Sequence, residues 1–284
     1  MTLSPVALEL LAYGRELEAQ GAAQVGASFS GLAAADDFLR SDANAFLIGV
    51  LFTQGIPAER AWAGPWLLRE RLGHLDLALL LGDPAAVRAA FQQPPMLHRF
   101  KETLPRWVCS AAARLIRDWD GNAALIWAPG THVLDVVERL NEFDGIGRKK
   151  AVMAAEILVR HFGAELEGRE CGQVAYDVQV RRVFLRAGLV AHDSRHQIEA
   201  AAASICPDAP GTLDLPAWLV GRETCRPRKP LCEECRLGAT CPRRVWLSVE
   251  GVGARPNREK RITSRAALPQ GSADRVRLLG GANE

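Results

Sequence analysis

The sequence predicts an all-α, two-domain protein, and three observations lead there. Apolar residues recur at helical spacing along most of the chain, and no stretch alternates as a strand would. A glycine hairpin, Asn141-Glu-Phe-Asp-Gly-Ile-Gly-Arg-Lys-Lys-Ala151, joins two such helical stripes. Four cysteines, Cys225, Cys232, Cys235 and Cys241, follow in the spacing C-x6-C-x2-C-x5-C.

In chain order, Val6, Leu8, Leu10, Leu11 and Leu17 predict a helix over 5–20, and the Gly/Ala/Ser-rich stretch 21–31 reads as a linker. Residues 45–53 are almost all apolar (Phe46, Leu47, Ile48, Val50, Leu51, Phe52), which predicts a buried central helix. Further helical pieces are expected at 75–81, 85–91 and 107–119, with 92–100 as a proline-containing loop. Val133, Leu134, Val136, Val137 and Leu140 give the stripe before the hairpin; Val152, Ala155, Val159 and Phe162 give the stripe after it. Asp177 then precedes a helix whose inner face is Val180, Val183, Phe184 and Ala187. The expected domains are 32–150, a helical barrel ending in the hairpin, and 1–31 plus 151–250 around the cysteines. Residues 251–284 are expected to form a flexible basic tail.

A chain of 284 residues is long enough for two modest cores. Its formal charge of +2 is unremarkable, but the cations are uneven. Arg222, Arg226, Arg228, Lys229, Arg236, Arg243 and Arg244 crowd the cysteine region, as a nucleic-acid backbone surface requires. A solvated basic tail is the plainer reading from Arg255 onwards. Glu9 interrupts the first apolar run, so no secretory signal is expected, and no apolar stretch reaches the ~20 residues of a membrane span. A cytoplasmic monomer with reduced thiols follows as the expectation. There is no P-loop, and none of the six histidines stands in a His-Glu-x-x-His metal motif.

Gly145 and Gly147 allow a tight turn and close backbone approach to an anion, and the helix starting near Arg148 points free N–H groups out of it. This is a helix-hairpin-helix clamp for a phosphate backbone, with Arg148 and Lys150 as cationic neighbours. Lys149 lies between them. Neighbouring positive charge and desolvation would depress its pKa and make the amine a nucleophile for Schiff-base chemistry; a simple phosphate contact is the other reading. Asp177, at a helix start, suits an N-cap and equally a carboxylate held ionised for acid–base work or for stabilising a cation. Four thiolates on one short loop, with no nearby histidine, favour a [4Fe–4S] cluster over zinc and over a disulfide framework. Cys109, Cys171 and Cys206 are scattered and read as ordinary buried thiols.

Taken together, the hairpin residues Gly145, Gly147, Arg148 and Lys149, the later Asp177 and the cysteine spacing resemble the endonuclease III family of base-excision DNA glycosylases. The resemblance covers roughly 30–245. It implies an all-α helix-hairpin-helix glycosylase fold with an iron–sulfur loop, double-stranded DNA with a damaged or abasic nucleotide as partner, and no membrane role. It places the Schiff-base lysine at Lys149, the catalytic aspartate at Asp177 and the cluster on Cys225, Cys232, Cys235 and Cys241. Gln54 would fill the gap left by a flipped base, Met96, Leu97 or Phe100 would enter the duplex, and Arg226, Arg228 and Lys229 would hold phosphates. Adenine-mismatch glycosylases are similar, but typically lack a lysine at this position. The implied activity is therefore glycosylase plus abasic-site lyase, with oxidised pyrimidines as the substrate. Phe143-Asp144 replaces the family's Leu-Pro, Val178-Gln179 follows the aspartate where Thr-His is usual, and 165–170 reads as an insertion. Three other readings stay open: a monofunctional uracil or thymine mismatch glycosylase, with Lys149 only a phosphate contact; a catalytically weakened DNA-structure-binding protein, motivated by Asp144 and the altered Gln54 segment; and a small zinc-bound nucleic-acid module.

Overall fold

Among the described residues, helices account for all the regular structure. This computed structural model describes residues 2–23 and 30–247, the side chains of 21–23 excepted. Among the described residues there are thirteen α-helices, three short 3-10 helices and no strand, and one isolated bridge joins His132 to Glu167. Most of the expected linker and the whole of the expected tail, 251–284, lie outside the described residues.

The helices are α1 (Pro5–Ala23), α2 (Ala33–Ser41), α3 (Ala43–Phe52), α4 (Ala58–Trp62), α5 (Gly64–Leu72), α6 (Leu77–Gly82) and α7 (Pro84–Gln92). They continue with α8 (Thr103–Asp118), α9 (Val133–Asn141), α10 (Arg148–Phe162), α11 (Val178–Arg186), α12 (Arg195–Ile205) and α13 (Asp214–Glu223). Their ends follow local chemistry. Asp42, Asp76 and Asp83 cap α3, α6 and α7 by accepting from the N–H of Ala45, Leu79 and Ala86. Pro84 opens α7, where a missing N–H costs nothing.

Two apolar cores result. Helix α3 is buried from Ala45 to Phe52 and lies in the first, with inner faces of α2 to α10 packed round it. Phe46 stacks on Trp62, and Phe52 stacks on Phe91. The second core joins Val6, Leu10 and Leu11 of α1 to Val180, Val183 and Phe184 of α11, Ile198 of α12 and Ala217 and Val220 of α13. The N-terminal helix thus returns to the C-terminal helices. The first core runs past residue 150, because Ala151, Ala154, Ala155 and Leu158 of α10 pack into it beside α9. Among the described residues no helix is long and apolar enough to cross a membrane.

Candidate active site and metal centre

The hairpin between α9 and α10 is braced from below by α8. Gly145 has φ +83°, and a Cβ there would lie 2.4 Å from the Trp107 ring, so backbone and packing both require glycine. Gly147 differs. Its backbone is extended, and a Cβ would meet nothing within 4 Å, so the protein itself gives no reason for glycine. Phe143 is buried under the Arg114 guanidinium, and Asp144 is exposed with its Oδ2 accepting from Ser110 Oγ at 2.7 Å. Helix α10 starts with no side-chain cap, leaving first-turn N–H donors and the positive end of the helix dipole toward the turn. Arg148 is half-buried and donates to Gln173 Oε1 at 2.9 Å.

Lys150 departs from expectation. It is 6% exposed, and its Nζ donates to Leu51 O and Gly145 O, each at 2.9 Å. Burial, with Lys149 adding repulsion, pushes this amine down to about 7. It is an internal tie between the end of α3 and the hairpin, and its ammonium does not face a ligand. The helical period explains this: in α10 the position after Lys149 turns inward, alongside Ala151 and Ala154.

Lys149 and Asp177 meet. The Nζ donates to Asp177 Oδ2 at 2.9 Å, across 28 residues of sequence. The lysine side chain is 48% exposed and the aspartate side chain 14%. Asp177 Oδ1 accepts from the Gln179 N–H at 2.8 Å, so one oxygen caps α11 and the other faces the amine. A surface amine in contact with a carboxylate can act as a nucleophile with an acid–base partner in reach.

Behind this pair lie buried charges that the sequence reading did not single out. Asp214 accepts from the Ala175 N–H at 2.6 Å. Glu156 Oε2 lies 3.6 Å from Arg160 Nη2. Burial raises Glu156 to about 7 and Asp214 to about 6, although Arg160 opposes both. Glu156 and Arg160 stand one helical turn apart, the only local signal that could have flagged them.

The four cysteines line a single small cavity with Val183, Arg186 and Leu237. All four are half-buried. Arg186 Nη1 lies 3.9 Å from Cys225 Sγ and donates to Arg226 O at 2.8 Å, while its Nη2 donates to Pro227 O at 2.9 Å. Arg182 Nε donates to Cys225 O at 2.6 Å, and the Arg243 N–H donates to Cys241 Sγ at 3.3 Å. Burial raises the Cys225 thiol, and Arg186 opposes the rise. Among the described residues no group of His, Cys, Asp or Glu converges on a point where one metal ion would bind. A cubane cluster takes each thiolate on a different iron, so four sulfurs round one cavity, with N–H donors to sulfur and nearby guanidinium charge, suit its donor set. Of the other cysteines, Cys206 is buried and Cys109 half-buried, whereas Cys171, expected to be buried, is exposed on a short 3-10 turn.

The expected DNA-facing loops divide. Gln54 is half-buried, with an Nε2 that has no hydrogen-bond partner. Leu97 is 3% exposed and therefore unavailable as a wedge, since it packs into the first core. Met96 and Phe100 are exposed, and the Arg99–Phe100 side chains lie against Gly55. Arg226, Arg228 and Lys229 are exposed beside the cysteine cavity. Several neighbours in the basic zone are paired: Arg222 with Glu59, Arg236 with Glu9 and Glu16, Arg243 with Glu233.

No protein-family model matches the chain. It is 30% identical over 133 residues to Endonuclease III of Thermotoga maritima, a match covering 46% of this chain and 56% of that protein. It is 28% identical over 134 residues to Endonuclease III of a Synechocystis species, covering 46% and 52%. The chain thus matches about half the length of these curated relatives. A non-covalent endonuclease III–DNA complex superposes with a TM-score of 0.51 at 19% identity, over 74% of this chain and 93% of that one. A thermostable thymine-DNA glycosylase superposes with a TM-score of 0.52 at 14% identity, over 72% and 86%. The fold is that of the helix-hairpin-helix DNA glycosylases.

Proposed function

We propose, for a chain that resembles the endonuclease III family in both sequence and fold, a base-excision DNA glycosylase with abasic-site lyase activity. Its partner on this reading is double-stranded DNA carrying an oxidised pyrimidine or an abasic nucleotide. The observation that carries the proposal is the 2.9 Å contact between Lys149 Nζ and Asp177 Oδ2 at the surface. The uncapped start of α10 and the unfilled space over Gly147 suit a phosphate held by backbone N–H groups. Gln54 Nε2 is buried and without a partner, so its amide would turn outward to reach an orphaned base.

The chemistry follows from these groups. The damaged nucleotide leaves the stack so that C1′ can be reached. Asp177 accepts a proton from Lys149, and the neutral amine attacks C1′. The C1′–N bond breaks, and the base departs with the electron pair and takes up a proton. The sugar ring opens to a Schiff base on Lys149. Loss of a C2′ proton then expels the 3′ phosphate by β-elimination. A [4Fe–4S] group would be held by Cys225, Cys232, Cys235 and Cys241 and would supply a covalent knot that fixes residues 226–231. Arg226, Arg228 and Lys229 would then meet the DNA backbone in a set geometry.

Duplexes carrying single lesions, incubated with the protein and borohydride, test the proposal. The expected result is a covalent adduct on an oxidised pyrimidine and on an abasic site. Asp144, a carboxylate beside the turn, favours a DNA-structure-binding protein instead; in that case duplex is bound and no lesion is excised. Excision of uracil or thymine opposite guanine with no adduct would make the protein a monofunctional mismatch glycosylase.

A further inference from the structure

Asp214 opens α13 and is 7% exposed. Its Oδ1 accepts from the Ala175 N–H at 2.6 Å, and Ala175 O in turn accepts from the Asp177 N–H at 2.6 Å. Ala175 is thereby gripped at both ends, two residues before the carboxylate that faces Lys149. Helix α13 packs along α11, so the anchor and the helix that Asp177 caps belong to one rigid pair. We propose that Asp214 is a positioning residue: through Ala175 it holds the 174–177 segment in the one conformation that aims Asp177 at the Lys149 amine.

An acid at this position is poorly explained by stability. Burial raises its carboxyl to about 6, and Asp177 adds to the rise. The charged form therefore weakens the fold at neutral pH, and a neutral side chain would be better tolerated. What the site gains is a short, charge-assisted hydrogen bond from a buried oxygen to one particular N–H. The charged groups that act on Asp214 are Glu156, Arg160, Asp177 and Lys149. None of them accepts from the Ala175 N–H, which donates to Asp214 Oδ1.

The inference rests on the glycosylase reading of Lys149 and Asp177, and the full-length protein tests the two separately. Asp214→Asn keeps an acceptor oxygen; Asp214→Leu keeps the size and removes it. With an abasic-site duplex and borohydride, Asn should trap within about threefold of wild type and Leu should trap at least ~10-fold more slowly. Both should bind a reduced, unreactive abasic duplex within about twofold of wild type, which a general loss of structure would not allow. Amide hydrogen exchange supplies a readout free of activity: the segment 174–177 should exchange at least ~10-fold faster in Leu and at the wild-type rate in Asn. Asp214→Ala repeats the comparison should leucine disturb the fold. Trapping or exchange at wild-type values in the acceptorless variants would overturn the inference and leave the glycosylase reading standing. A wild-type protein that forms no adduct would overturn both.

Discussion

Replacing Lys149 by Gln and Asp177 by Asn should remove the chemistry while leaving the fold almost untouched. Lys149 is about half exposed, and an ion pair of that kind contributes ~0.2–1 kcal/mol. Asn can cap a helix as well as Asp, so Asp177→Asn keeps the bond from the Gln179 N–H. Each variant should lose at most about 1 kcal/mol, a shift of roughly 2–4 °C in Tm. The kinetic effect should be far larger. Without the amine no adduct forms, and without the carboxylate the single-turnover rate should fall ~10²–10⁴-fold, or about 3–5 kcal/mol of barrier. Asp177→Ala should lose a further ~1 kcal/mol of stability with the cap. Thermal melting beside time-resolved borohydride trapping on an abasic duplex separates the two effects. An undiminished adduct from Lys149→Gln would refute the assignment. So would an Asp177→Asn that traps at the wild-type rate.

Three further outcomes are expected. Gly145→Ala should cost upwards of ~2 kcal/mol, from strain at positive φ and the clash with Trp107, whereas Gly147→Ala should melt like wild type and weaken duplex binding; melting and fluorescence anisotropy measure the pair. Glu156, raised to about 7 from 4.5, holds its proton more tightly in the folded state, so its contribution to stability is lost as pH rises across that interval. Between pH 5 and pH 8 wild type should therefore lose stability relative to Glu156→Gln, by at most about 3 kcal/mol, as read from denaturant melts. Protein purified without air should be brown and contain iron, and Cys→Ser at 225, 232, 235 or 241 should lower iron content and duplex affinity together, measured by iron assay and anisotropy.

Much of this was legible because it is local. An unbroken apolar run exposed α3, helical period exposed the stripes on either side of the hairpin, and aspartate before an apolar run marked the cap of α11. What escaped depends on direction or distance. Lys150 follows Arg148 and Lys149 in sequence, yet one step round the helix carries it from the surface into the core. Leu97 and Met96 are adjacent, and only packing decides that one is buried. Asp214 is separated from Ala175 by 39 residues, and no periodicity links them. The cations near the cysteines were countable, but their carboxylate partners on α1 and α4 come from distant sequence.

The internal Lys150 has a mechanical consequence. Its ammonium joins the carbonyl of Leu51, three residues before Gln54, to the carbonyl of Gly145 in the turn. Under the proposed function, the grip on the strand and the finger that replaces the missing base are spliced to one post. A duplex seated by the first is then already in register for the second, and the two cannot slip past each other during scanning. A change at Lys150 would never touch DNA, and it would uncouple seating from probing.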